Sequence, residues 1–115
     1  MRSPGECRRI FRSCFARYLE CIERPAARPG KNEEYIADFE RVGERALTCA
    51  IDRQIFRLHF VSGADCGTCL RRTGLTVRVF LRALSTIEEQ LGSAFADTRP
   101  YPLFPVKDYF TEVRG

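Results

Sequence analysis

The chain has 115 residues, of which 44% are hydrophobic and 30% charged, so its length fits one domain with a modest core. Its formal net charge of +4 is too small to imply nucleic-acid binding by itself. No apolar run approaches the roughly 18 residues of a membrane span, and the N-terminus MRSPGECRRIFRS lacks the apolar core of a signal peptide. We therefore expect a cytoplasmic protein with no membrane partner.

Charge is distributed unevenly along the chain. Residues 1–31 carry eight basic and three acidic side chains, residues 32–65 carry four and seven, and residues 66–96 carry four and two. Nearly all of the basic residues are arginine, since Lys31 and Lys107 are the lysines of the chain. Arginine suits contacts with phosphates and base edges, although a GC-rich genome would produce the same bias.

The first predicted helix covers residues 6–23 of an amphipathic N-terminal segment, residues 1–24. Its apolar residues recur at spacings of four and three, which is typical of a coiled-coil-like seam. Two prolines and a glycine then predict a linker over residues 25–31. The seam consists of Cys7, Phe11, Cys14, Tyr18 and Cys21.

The second predicted helix opens a helical domain over residues 32–96. Asn32 is a favourable N-cap, and Glu33 and Glu34 follow it in the first turn, where the helix dipole favours acidic side chains. The same capping preference makes Asp52 the predicted cap of the third helix. The apolar stripe of the second helix is predicted to be Tyr35, Phe39, Val42, Ala46 and either Cys49 or Ala50.

Residues 53–91 contain three helical patterns in close succession. The first ends at Ser62, the second covers residues 64–73 and is stopped by Gly74, and the third follows Thr76, which can cap it. Two helices joined by a tight glycine-containing turn, the second long and basic, are typical of a helix–turn–helix. The buried stripe of the third pattern is predicted to be Phe80, Leu84, Ile87 and Leu91.

The predicted tail, residues 97–115, contains the segment RPYPLFPVKDYF, in which proline alternates with large apolar residues. Residues 99–105 cannot be helical and are expected to be extended, whereas residues 108–113 can form one more turn. The tail is predicted to cover a groove on the helices, with a linear docking segment as the alternative. The predicted fold is therefore all-α, with an N-terminal helical hairpin, a helix–turn–helix three-helix unit and an extended Pro/aromatic tail.

The segment RLHFVSGADCGTCLRRTGLTVRVFLRALSTIEEQL resembles region 4 of bacterial sigma-70-type RNA polymerase sigma factors. The typical family pattern is an aromatic-rich helix, a glycine, a short helix that ends at a glycine, and a capped recognition helix. The resemblance covers about a third of the chain and implies a helix–turn–helix that binds promoter DNA in transcription initiation or regulation. The matching residues are Phe60, Gly63, Cys69, Gly74, Leu75, Thr76, Phe80, Leu84 and Leu91.

The resemblance makes residues 76–95 the recognition helix, which is expected to lie in the major groove of double-stranded DNA. Arg78 and Arg82 share one helix face because they are four residues apart, and the helix before the turn ends in two arginines that would lie close to phosphates. The alternative is that these arginines are solvent-exposed surface charges with no binding role. The predicted DNA-binding residues are Thr76, Arg78, Arg82, Ser85, Arg71 and Arg72.

Val77 and Leu81 occupy two further positions from which the family reads bases. They can touch thymine methyl groups but cannot form bidentate hydrogen bonds. The alternative function is therefore a protein-interaction module of the same fold, which binds RNA polymerase or forms a homodimer through the seam of the first helix. If both residues are exposed among other apolar side chains, they favour a protein partner, and if they lie among arginines, they favour DNA.

The six cysteines are predicted to be buried thiols. Cys66 and Cys69 have the spacing of half a zinc site, but no second pair exists, and the helix–turn–helix register assigns both to the core. Free cysteine packs as a small hydrophobe, and a reducing cytoplasm disfavours disulfides. The alternatives are a zinc site that adds Cys49 and His59, and redox chemistry. No metal or cofactor is expected.

No enzymatic activity is predicted from the sequence. His59 is the single histidine, and no nucleophile with a carboxylate partner can be matched to it. The chain also has no glycine-rich loop of the kind that cradles a phosphate. His59 is expected to be a satisfied or solvent-facing residue that at most approaches a DNA phosphate.

Overall fold

The computed structural model describes residues 1–24 and 30–111, and across these residues every regular element is helical. The predicted all-α class is confirmed. Of the predicted linker, residues 25–29 lie outside the described residues, and Lys31 already belongs to the second helix. The helices are α1 (Pro4–Glu23), α2 (Lys31–Ala46), α3 (Ala50–Ile55, continued by a π-helical segment, Phe56–Val61), α4 (Cys66–Thr73), α5 (Val77–Asp97) and α6 (Val106–Thr111).

Helix α1 begins two residues before its predicted start. Ser3 is the N-cap, and its hydroxyl accepts a hydrogen bond from the backbone N–H of Glu6 at 3.2 Å. Pro4 is in the first turn, where N–H groups have no helical acceptor. Its lack of an N–H therefore costs no helical hydrogen bond. The predicted seam is buried in full, together with Ile10. Because the seam packs inside the single chain, it is not available as a dimer surface.

Two predicted helix caps are wrong. Gly30, with φ +85°, precedes α2, whereas Asn32 lies in the first turn, where its Nδ2 donates to the carbonyl of Arg24 at 2.9 Å. Asn32 thus ties the start of α2 to the end of α1. Asp52 is the third residue of α3, and Cys49 stands at the cap position.

The predicted apolar stripe of α2 holds only over its first part. Tyr35 and Phe39 are fully buried, and Val42 and Ala46 are half-buried. The helix ends at Ala46, so Cys49 and Ala50 are exposed and Leu47 is buried instead of them. The backbone is extended at Leu47, so the helical spacing of α2 does not continue to Cys49 and Ala50.

The core is a cluster of aromatic rings supplied by several helices. Phe11 of α1 lies 6.1 Å from Phe95 of α5 and 5.1 Å from Phe60, measured between ring centroids. Phe39 of α2 stacks on Tyr18 at 4.1 Å and contacts Phe95 at 5.0 Å. Such pairs add to the burial of their apolar area, so α1, α2, the π-helical segment and α5 share one core.

Helices α1 and α5 approach most closely at Gly92. A Cβ atom at this position would lie 1.8 Å from the carbonyl oxygen of Cys7, which is impossible without separating the helices. Ion pairs flank this crossing, two between α1 and α5 and one between Arg2, which precedes α1, and the last residue of α5. They are Arg8–Glu89 at 2.6 Å, Arg12–Glu88 at 3.2 Å and Arg2–Asp97 at 3.0 Å.

The C-terminal segment packs onto the helices. Leu103 is fully buried, its N–H donates to the carbonyl of Phe95, and its own carbonyl accepts from Cys14 Sγ and Tyr35 Oη. Helix α6 starts at Val106, two residues before the predicted turn. This packing supports the groove-covering interpretation over the linear docking segment, and the tail is not extended throughout.

None of the described helices combines the length and the apolar character that a membrane crossing requires.

We expect Gly92→Ala to destabilise the protein by about 1–3 kcal/mol, because the added methyl group overpacks the α1–α5 crossing. Urea unfolding, followed by circular dichroism, measures the change. Gly67→Ala is the matched control, since its Cβ meets only the flexible Arg71 side chain at 3.4 Å and the Asp65 carboxylate at 3.6 Å. This control should leave stability unchanged or raise it by up to about 1 kcal/mol. Equal unfolding midpoints for the two variants would contradict the close crossing.

Candidate nucleic-acid interface

The candidate interface begins with the turn that ends the π-helical segment. The N–H of Ser62 donates to the carbonyl of Arg57 at 2.9 Å, and the N–H of Ala64 donates to the carbonyl of Leu58 at 2.8 Å. Gly63 between them has φ +74°, a backbone conformation that favours glycine. The predicted end of this helical pattern at Ser62 is confirmed by the structure.

Helix α4 begins at Cys66, later than predicted, because Asp65 is its N-cap. The Asp65 carboxylate accepts from the N–H of Thr68 at 2.8 Å, and hydrogen bonding to Thr68 lowers the pKa of Asp65. At the other end, Gly74 has φ +73°, and its N–H donates to the carbonyl of Leu70 at 2.9 Å. The predicted stop at Gly74 is therefore confirmed.

Thr73 and Thr76 fix the turn between α4 and α5. The hydroxyl of Thr73 donates to the carbonyl of Cys69 at 2.7 Å and accepts from the N–H of Leu75 at 3.3 Å. The hydroxyl of Thr76 accepts from the N–H of Val79 at 3.3 Å, which confirms Thr76 as the cap of α5. Sequence reasoning missed the role of Thr73, although Ser and Thr hydroxyls often bond to nearby backbone groups.

All six predicted DNA-binding residues are exposed. Each residue turns an α-helix by about 100°, so with Val77 at 0° Arg78 lies at about 100° and Arg82 at about 140°. Val77 and Leu81 lie at one edge of the exposed arc, and Val79 lies at the other edge, at about 200°. The exposed fractions of these three apolar residues are 53%, 54% and 43%. The arginines thus occupy the middle of the arc.

Helix α1 covers the same arc further along α5. On the same scale Gly92 lies at about 60° and Glu89 at about 120°, and both contact α1. Glu88 and Glu89 are neutralised by Arg12 and Arg8. The outer face of α5 is therefore free over its first turns alone, which is shorter than the predicted recognition helix of residues 76–95.

Positive charge is concentrated where α5 is free. Residues 66–87 contain four arginines and no acidic residue. Among these, Arg71 donates to Thr68 Oγ1 at 3.1 Å, and none of the four forms an ion pair with any other residue in the described ranges. We call this set, Arg71, Arg72, Arg78 and Arg82, the arginine surface.

His59 is a packing residue. Its Nδ1 lies 3.0 Å from the carbonyl oxygen of Ala64, and its ring meets Phe60 and Phe80 edge to face. These contacts hold the π-helical segment against the first turn of α5. A direct approach of His59 to DNA phosphate has no support in this geometry.

The cysteine predictions hold in part. Cys7, Cys14, Cys21 and Cys69 are buried, and burial raises the pKa of Cys14 to about 12. Cys66, which was assigned to the core, is exposed at the first position of α4. Cys49 is also exposed. Within residues 1–24 and 30–111, no three His, Cys, Asp or Glu residues are grouped as a metal ion would need.

No protein-family description, no curated protein and no solved structure matches this chain.

We expect Thr76→Ala to destabilise the protein by about 1 kcal/mol, because the N–H of Val79 loses its capping partner. Thermal or urea unfolding measures the change. Thr76→Ser keeps the hydroxyl and is the matched control, so its stability should stay within a few tenths of a kcal/mol of the parent. If both variants lose the same stability, the hydroxyl is not the cap that supports α5.

Proposed function

We propose that the protein binds double-stranded DNA in transcription regulation or initiation, with the N-terminal turns of α5 in the major groove. The observation that carries this proposal is the arginine surface, whose four arginines form no ion pair within the described ranges and which lies at the end of α5 that α1 leaves open. In this proposal α4, the turn and α5 act as a helix–turn–helix, in which the second helix reads DNA from its N-terminal residues.

The size of the free end supports insertion into a groove. Residues 77–86 span about 15 Å of helix at 1.5 Å per residue, and the major groove is about 12 Å wide and 8.5 Å deep. Arg78 and Arg82 then point at base edges, where arginine recognises guanine through two hydrogen bonds. Thr76 and Ser85 border them, and Arg71 and Arg72 contact phosphate from the end of α4.

Fluorescence anisotropy with a labelled duplex tests DNA binding directly. The logarithm of the affinity should fall linearly with the logarithm of salt concentration, with a slope of about −0.9 for each phosphate contacted. Selection from a random pool then gives the preferred sequence. The proposal fails if no duplex binds at low salt.

A second candidate function is supported by Val77, Val79 and Leu81, which are exposed apolar side chains near the start of α5. In this alternative the same surface binds a protein, and RNA polymerase is the partner implied by the resemblance to sigma region 4. Retention of purified RNA polymerase on the immobilised protein tests this. The double variant Val77→Ser, Leu81→Ser should abolish retention if the alternative is right, whereas a variant with Arg72→Ala should keep most of it.

We expect Arg78→Ala and Arg72→Ala to affect DNA binding differently. Arg78→Ala should cost about 1–3 kcal/mol on the selected sequence and relax its specificity, since a base contact is lost. Arg72→Ala should weaken binding to all duplexes alike, because a phosphate contact is lost. The slope of the logarithm of affinity against the logarithm of salt concentration should become shallower by about 1. Paired titrations on selected and random duplexes measure both effects.

Arg45→Ala is the matched control for these variants. Arg45 is exposed on α2 and borders a groove with Arg99 and Tyr101, beyond the C-terminal end of α5. Arg45→Ala removes one positive charge, as the other two variants do. A loss caused only by weaker long-range attraction between the protein and DNA would therefore appear in this variant as well. Equal losses for Arg78→Ala and Arg72→Ala on both duplexes would contradict the division into base and phosphate contacts.

A further inference from the structure

Cys66 and Cys69 form an asymmetric pair in the first turn of α4. Cys66 is the first residue of the helix and is exposed, whereas Cys69, three residues later, is completely buried. The thiol of Cys69 donates a weak hydrogen bond to the carbonyl of Ala64 at 3.8 Å. Reagents in solution can therefore reach Cys66, whereas Cys69 is shielded from them.

We propose that Cys66 and Cys69 are a reversible dithiol–disulfide pair, in which Cys66 reacts with a low-molecular-weight disulfide and Cys69 resolves the adduct. The reaction does not require the proposed DNA binding. No other two cysteines of the described chain combine an exposed thiol with a second thiol one helical turn away.

The helical spacing allows the bond with a local adjustment. Residues three apart in an α-helix have Cα atoms about 5 Å apart, which is inside the range of about 4.4–6.8 Å for disulfides. Their Cβ atoms, at about 5–6 Å, must come about 1–2 Å closer to reach disulfide geometry. Cys66 can move because the N–H of a first helical residue has no helical acceptor, and Gly67 beside it carries no side chain.

The reaction balances with glutathione disulfide as the oxidant. The Cys66 thiolate attacks one sulfur of glutathione disulfide, so a Cys66–glutathione bond forms and one glutathione thiolate leaves. The Cys69 thiolate then attacks Cys66 Sγ, which forms the Cys66–Cys69 bond and releases the second glutathione thiolate. The two protons lost by the cysteines are taken up by the two glutathione molecules. The protein is oxidised by two electrons, and the oxidant is reduced by two.

The environment of Cys69 fits the second step. Burial raises the pKa of Cys69, and the negative charges of Cys66 and Asp65 raise it further. When Cys66 enters the mixed disulfide it can no longer carry its charge, so ionisation of Cys69 becomes easier at the stage where it must attack. The charged groups around this turn are Asp65, which caps it, and Arg71, whose guanidinium lies beside Gly67.

The remaining cysteines are poorer candidates. Cys7, Cys14 and Cys21 are buried and succeed one another at seven residues along α1, which is about 10.5 Å and too far for a disulfide. Cys49 is exposed and can form an adduct with glutathione, but it has no cysteine one turn away in α3. The Cys49→Ser substitution therefore removes the competing glutathione adduct from the test.

Mass spectrometry of the full chain with Cys49→Ser tests the proposal. The protein is equilibrated with mixtures of glutathione and glutathione disulfide, quenched with acid, alkylated in denaturant and digested. We expect the loss of two alkylatable thiols, a Cys66–Cys69 linkage in the peptides and full recovery after dithiothreitol. A stable glutathione adduct on Cys66, or two free thiols at the most oxidising ratio, overturns the proposal.

Two variants in the same background separate the steps. Cys69→Ala should stop at the Cys66–glutathione adduct, and Cys66→Ser should keep Cys69 reduced, because the remaining thiol is buried. Circular dichroism checks that Cys69→Ala, which removes a buried atom, still folds. If it does not fold, the peptide linkage in the Cys49→Ser protein decides the question by itself. Adduct formation on Cys69 in Cys66→Ser would contradict the assigned order of attack.

Discussion

The close crossing of α1 and α5 is the constraint on which the rest of the structure depends. It requires a glycine at position 92, since any side chain there would meet the backbone of Cys7. Once the helices are this close, the aromatic rings of Phe11 and Phe95 can pack, and Arg8 and Arg12 reach Glu89 and Glu88. The crossing also divides α5 into a covered C-terminal half and a free N-terminal half.

Features that depend on local backbone chemistry could be predicted from the sequence. The stop at Gly74 and the cap at Thr76 follow from conformational preferences that act within a few residues, and the buried seam of α1 follows from helical spacing. The hydrogen bond from Asn32 to Arg24 could not be predicted, because it joins the start of α2 to the end of α1, eight residues earlier in the chain. Asn32 is a favourable capping residue, but here its side chain forms this interhelical hydrogen bond instead of a cap.

The exposure of the candidate residues could be predicted from the sequence, but the extent of the free surface of α5 could not. The arginines and Thr76 could be chosen from helical spacing and from the resemblance, and all of them are exposed. That α1 covers α5 beyond its first turns depends on Gly92, whose close approach leaves no periodic signal in the sequence. The exposure of Cys66 was also missed, because the helix–turn–helix register assigned Cys66 to the core together with Cys69.

The arrangement of apolar residues on α5 bears on the choice between DNA and a protein partner. A protein interface usually has an apolar centre and a polar rim, whereas here Arg78 and Arg82 occupy the centre and the apolar residues lie at the two edges. Val79 is about 160° away from Leu81 around the helix axis, so the two cannot belong to one apolar patch. Val77 and Leu81 can still touch thymine methyl groups at the side of a groove, while the central arginines reach base edges. This order of side chains around the helix favours the DNA proposal over the protein-interaction alternative.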